Sequence, residues 1–91
     1  MPFAPNRYEF TEAGIEALGS LQLSGVYGIF SRKACLCVGT ADDIRARLRE
    51  HMVAPRIQER QPTYFLLALD PPNGPINALE ELIQEYRPIA Q

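Results

Sequence analysis

Only two cysteines and one histidine occur in this 91-residue chain, and the longest uninterrupted apolar run is Phe65-Leu66-Leu67-Ala68-Leu69. A helical bilayer span needs about 20 such residues, and no positively charged leader precedes an apolar segment. No membrane is expected, and the chain is placed in the cytoplasm. Cys35 and Cys37 are two positions apart, so in an extended strand they point the same way with Cα atoms roughly 6.5–7 Å apart, a strained geometry for a disulfide. With one histidine they also fall short of the four ligands of a structural zinc site. Positive charge is in the minority: 9 Lys and Arg against 11 Asp and Glu leave a net charge of -2. A generally basic nucleic-acid binder would carry the opposite balance. The basic residues are nevertheless segregated, because Arg45, Arg47, Arg49, Arg56 and Arg60 crowd one short stretch.

What is present is ordinary for a folded domain: 46% apolar and 22% charged residues, in a length that suits one compact core. Thr11 precedes Glu12-Ala13-Gly14-Ile15-Glu16-Ala17-Leu18, a short helix weakened by its glycine and capped by the Thr11 hydroxyl. Gly25-Val26-Tyr27-Gly28-Ile29-Phe30 and Ala34-Cys35-Leu36-Cys37-Val38 read as a hairpin around Ser31-Arg32-Lys33. A three-residue loop there predicts that Phe30 faces Ala34 and that Tyr27 lies across from Cys37.

Asp42 and Asp43 supply capping groups for a helix running to about Met52. With Ile44 at zero, Leu48 falls at about 40° and Met52 at about 80°, while Arg47 at about 300° and His51 at about 340° flank the same stripe. Arg47 and His51 therefore lean toward the sheet together. The stretch between Pro55 and Pro62 has no clear structure, Thr63 to Leu69 is a central strand, and Ile76 to Tyr86 is a closing helix. Its buried face is expected to carry Ile76, Leu79, Leu82, Ile83 and Tyr86.

Gly25-Val26-Tyr27, Cys37-Val38-Gly39, Arg47 at its interval and Tyr86-Arg87-Pro88 at the helix end together resemble the GIY-YIG nuclease family, over residues 25 to 91. The resemblance implies an α+β domain with a small three-stranded, mainly antiparallel sheet flanked by helices, preceded by an N-terminal extension, residues 1 to 24, with a short helix. It also implies hydrolysis of a phosphodiester with one divalent metal held by a helix Glu, a Tyr-assisted water and an Arg on the phosphate. Tyr27, Arg47 and His51 fall on the family's catalytic positions, although a strand tyrosine is equally at home in a core. Gln91 falls on a family Asn.

Two positions depart from the pattern. Cys37 replaces the second-motif tyrosine and lacks its phenol. Leu79 stands where the metal-ligating Glu is expected, and a leucine cannot ligate a cation. Glu80 and Glu81 adjoin it, at about 100° and about 200° around the helix, so only Glu80 comes near. The expectation is a catalytically impaired endonuclease-like domain that holds DNA or RNA phosphates through Arg45, Arg47, Arg49 and Arg56. One alternative is an active endonuclease using Glu80 with Mg²⁺ or Mn²⁺; another is a protein-interaction module in a larger complex.

Overall fold

The computed structural model describes residues 3–19 and 22–90, so Gln91 lies outside the described residues. Four strands, β1 (Tyr8–Glu9), β2 (Gly25–Phe30), β3 (Cys35–Ala41) and β4 (Tyr64–Leu69), form one antiparallel sheet in the order β1-β4-β2-β3. Four helices accompany them: α1 (Glu12–Glu16), α2 (Ile44–Met52), α3 (Pro55–Gln58) and α4 (Pro75–Tyr86). The sheet has four strands rather than three. The added one is a two-residue segment of the N-terminal region, and the Tyr8 ring stacks on Phe65 of β4 with centroids 5.2 Å apart.

The sheet separates two apolar clusters. On one face Tyr27, Ile29, Leu36, Cys37, Phe65 and Leu67 pack with Ile15 of α1, Ile44 and Leu48 of α2 and Ile57 of α3. On the other, Val26, Phe30, Cys35, Val38 and Ala68 pack with Phe3 and with Ala78 and Leu82 of α4. Phe65 in the first cluster and Ala68 in the second show why β4 is apolar on both sides: each face of a central strand has its own helical layer.

The hairpin departs from the expected register. Tyr27 pairs with Gly39, Ile29 with Cys37 and Phe30 with Cys35, with a shift between Ile29 and Phe30 that leaves Leu36 as one extra residue. The connection is four residues, Ser31 to Ala34, closed by the Ser31 amide on the Ala34 carbonyl at 2.9 Å. The longer turn and the bulge together displace the pairing by two positions, so Tyr27 and Cys37 keep a common face without being opposite. The same bulge sends Cys35 and Cys37 to different clusters, although residues two apart in a regular strand share a face; both thiols are free and buried.

Capping follows the sequence. The Thr11 hydroxyl accepts from the Gly14 amide at 3.0 Å, and the Asp43 carboxylate accepts from the Ala46 amide at 3.3 Å. Gly14 owes its place to close approach as well: a Cβ there would run into the Glu9 carbonyl. Along α4 the buried stripe is Ala78 and Leu82, with Leu79, Ile83 and Tyr86 at its margin, whereas Ile76 in the first turn is exposed. The helix ends at Arg87 in the left-handed conformation, φ 50°. Beyond it the tail crosses the sheet edge, with the Ile89 amide on the Cys35 carbonyl at 3.1 Å and the Ala90 amide on the Leu36 carbonyl at 2.7 Å. Among the described residues, no helix is long and apolar enough to cross a membrane.

Candidate functional site

Tyr27 stands in β2 directly across from Gly39. A Cβ at residue 39 would lie 2.5 Å from the Tyr27 hydroxyl and 2.8 Å from its Cζ, so the phenol ring lies over β3 only because residue 39 has no side chain. The ring thereby reaches α2, where its hydroxyl meets His51 Nε2 at 2.8 Å and the two rings are tilted with centroids 5.5 Å apart. Buried Ile44 and Leu48 hold α2 on the sheet, and this rotation carries Arg47 and His51, one turn apart, to the same side.

A cleft of about 340 Å³ opens at this point, lined by Tyr27, Cys37, Gly39, Arg47, His51 and Arg56, with Ala90 of the tail at its wall. Arg56 comes from α3, a single turn opened by Pro55 and pinned by buried Ile57. Burial pushes the Tyr27 hydroxyl up to about 12; Cys37 adds to this, while Arg47 works against it. Burial likewise raises the Cys37 thiol to about 11, partly offset by the Ile29 backbone hydrogen bond. The His51 imidazole is pulled below its ordinary value, first by burial and then by Arg47, with Glu50 opposing. At neutral pH the cleft therefore holds an un-ionised phenol, an un-ionised thiol and a neutral imidazole beside two guanidiniums. With the imidazole proton on Nδ1 the phenol donates to Nε2; with it on Nε2 the phenol oxygen accepts.

The four arginines expected on one phosphate surface divide into two pairs. Arg47 and Arg56 line the cleft, Arg47 also pairing with Glu50 at 3.5 Å. Arg45 and Arg49 turn to α1 instead: Arg45 donates to the Gly19 carbonyl, and Arg49 Nε binds Glu12 at 2.9 Å while its other arm pairs with Glu16. Glu80 lies on a different surface, beside Asn73, Asn77, Glu81 and Gln84. Leu79 packs into the α4 cluster, on the sheet face away from Tyr27 and His51. The hydrogen bond from Tyr27 to His51 was not foreseen, because it depends on the hairpin register; the Gly39 that permits it was the available clue. Nothing in the sequence marked Ala90 as a wall of the cleft.

No family model matches the sequence, and neither does any curated protein. Solved structures do. The GIY-YIG N-terminal endonuclease domain of UvrC from Thermotoga maritima, in a point-mutant form bound to its catalytic divalent cation, superposes with a TM-score of 0.62 at 20% identity, covering 89% of this chain and 99% of that one. A second point mutant of the same domain gives 0.60 at 19% identity, covering 89% and 98%. The fold is that of the GIY-YIG endonuclease domain.

A divalent cation is bound in those GIY-YIG structures, and the residues of the present cleft do not fit one. Hard cations take oxygen ligands, chiefly carboxylates. Among the described residues no carboxylate lines the cleft, two guanidiniums do, and its thiol is held protonated. Among the described residues, no group of three or more His, Cys, Asp or Glu is placed to hold a metal ion.

Proposed function

We propose that this GIY-YIG-fold domain binds nucleic-acid phosphates in the Tyr27 cleft and does not hydrolyse them. The observation that carries this reading is the convergence of Arg47 and Arg56 on a neutral Tyr27–His51 pair, in a cleft that no carboxylate of the described residues lines. Guanidiniums suit phosphate oxygens, and with the imidazole proton on Nε2 the phenol O–H is left free to donate to one as well. Hydrolysis needs a nucleophile activated by a base or a metal. A phenol pushed up to about 12 is a poor base at neutral pH; the neutral His51 imidazole is the one base at hand, but its Nε2 is engaged by Tyr27, and among the described residues the cleft brings no carboxylate to hold a metal. Glu80 does not restore an active endonuclease in this reading, since it faces a separate surface. A cytoplasmic location belongs to the same proposal.

Fluorescence anisotropy with labelled single-stranded and duplex oligonucleotides tests it. Binding is expected at low salt, indifferent to sequence and unchanged by EDTA, with a steep fall as salt rises. Arg47→Ala is expected to weaken it about ten-fold or more, a charge-assisted hydrogen bond being worth about 1.5–3 kcal/mol. Plasmid incubated with Mg²⁺ or Mn²⁺ is expected to stay intact. Absence of any complex at low salt would overturn the reading, and would leave a protein-interaction role to be sought by pull-down with nuclease treatment.

A further inference from the structure

A second group of cations lies outside the Tyr27 cleft. Arg32 and Lys33 sit at the hairpin turn between β2 and β3, where a cleft of about 570 Å³ is lined by both of them together with Arg60, Gln61 and Thr63. A neighbouring hollow shares Lys33 and Arg60 and extends to Leu36 and Ile89. Ile89 adjoins Ala90, the wall of the Tyr27 cleft, and the α3 turn that sends Arg56 into that cleft continues directly to Arg60. The two outer hollows thus share Lys33 and Arg60, and the chain at Ile89–Ala90 and from Arg56 to Arg60 links them to the Tyr27 cleft. Among the described residues one carboxylate, Glu59, lines the outer two, and Glu50 stands beside the inner one. Against these two acids stand Arg47, Arg56, Arg60, Lys33 and Arg32. The opposite end of the sheet carries Asp42 and Asp70.

We infer that these hollows form one track for the backbone of a single nucleic-acid strand, running from the Tyr27 cleft past α3 and Ile89 to Arg32 and Lys33 at the hairpin turn. The inference rests on the proposed phosphate-binding role of the cleft and extends it to a substrate class. Tyr27 and Phe30, the last residue of β2, are three strand positions apart, or roughly 10 Å at about 3.3 Å per residue, and Arg32 lies two residues further on in the turn. Successive phosphates of a stacked strand advance about 3.4 Å along the axis and are spaced more widely along the backbone itself, so the track takes only a few of them. Half-exposed Ile89 gives the track an apolar midpoint against which a base or sugar can rest.

Amide chemical-shift titrations at low salt with a trinucleotide and an octanucleotide, on the wild type and on Arg32→Ala/Lys33→Ala, test the track. The turn should survive this double substitution, because its shape is held by the Ser31 hydroxyl accepting from the Lys33 and Ala34 amides, each at 3.2 Å. In the wild type the octanucleotide should bind at least ten-fold more tightly than the trinucleotide and shift the turn amides as well as the cleft amides. The double variant should lose that gain, keep trinucleotide binding, and show a salt slope shallower by about 1.4, at about 0.7 per lost phosphate contact. Unchanged octanucleotide binding in the double variant, with Arg47→Ala still weakening both oligonucleotides, would overturn the track while leaving the cleft's role standing. The track would equally be overturned if the double substitution removed only concentration-dependent self-association, since the patch would then serve the acidic end of a second copy. No shift with either oligonucleotide in the wild type would instead remove the cleft's role, and the track with it.

Discussion

The phenol of Tyr27 reaches His51 across a residue that has no side chain, and burial holds the imidazole uncharged beside it. Two predictions follow at this scale. Gly39→Ala would force the ring aside, since its Cζ would lie 2.8 Å from the new methyl. A loss of about 1–3 kcal/mol in urea unfolding is expected, together with loss of the shifted His51 resonances that report the Tyr27 contact. Unchanged stability would mean that the ring has room to move. The second prediction concerns pH. His51 has a folded value below the 6.5 of the free side chain, so the unfolded chain takes up its proton first. The stability this contributes is present above about pH 6.5 and is lost as pH falls through the folded value. The thermal midpoint of the wild type should therefore drop more between pH 7.5 and 5 than that of His51→Gln; parallel curves would show that the imidazole is not held neutral.

Among the elements, α4 decides whether the departure at Leu79 can be repaired. Ala78 and Leu82 set the rotation of the helix, which keeps Leu79 against the cluster containing Phe30 and Val38, across the sheet from His51. Leu79→Glu is expected to cost about 1–3 kcal/mol and to confer no cleavage of plasmid with Mg²⁺ or Mn²⁺. Nicking by this variant would show that the sheet edge lets a carboxylate at 79 work with the Tyr27 cleft. Helices α1, α2 and α4 were legible in the sequence because a capping side chain and a 3.6-residue stripe are local signals, as Thr11, Asp43 and the Leu82 stripe illustrate, whereas α3 is a single turn with no capping side chain and was not. β1 was not, since two residues carry no periodicity and Tyr8 pairs only because β4 offers an open edge. The hairpin register escaped for another reason. An extra residue at Leu36 displaces the pairing without altering which apolar residues alternate before it.

Across the whole molecule, a net charge of -2 conceals an uneven distribution. The basic side chains near the Tyr27 cleft and the hairpin turn lie apart from the carboxylates of α4 and from Asp42 and Asp70. The sequence revealed the crowding of arginines, but not that Arg49 would be held by Glu12 and Glu16 of α1 and Arg45 by the Gly19 carbonyl beyond it, because that depends on a distant segment arriving beside them. The cleft was legible as far as Arg47 and His51, whose common side follows from helical spacing, and Tyr27, which its motif singled out; Arg56 stood only among the crowded arginines, in a stretch without a local signal. The closure of the cleft by the tail was not legible. That closure has a consequence for how the molecule meets others of its kind. A sheet edge is a template on which a foreign strand can grow, and β3 is this sheet's longer border. By occupying the carbonyls of Cys35 and Leu36, the tail removes the first rungs of that template and leaves an intruding strand only the stretch beyond the bulge.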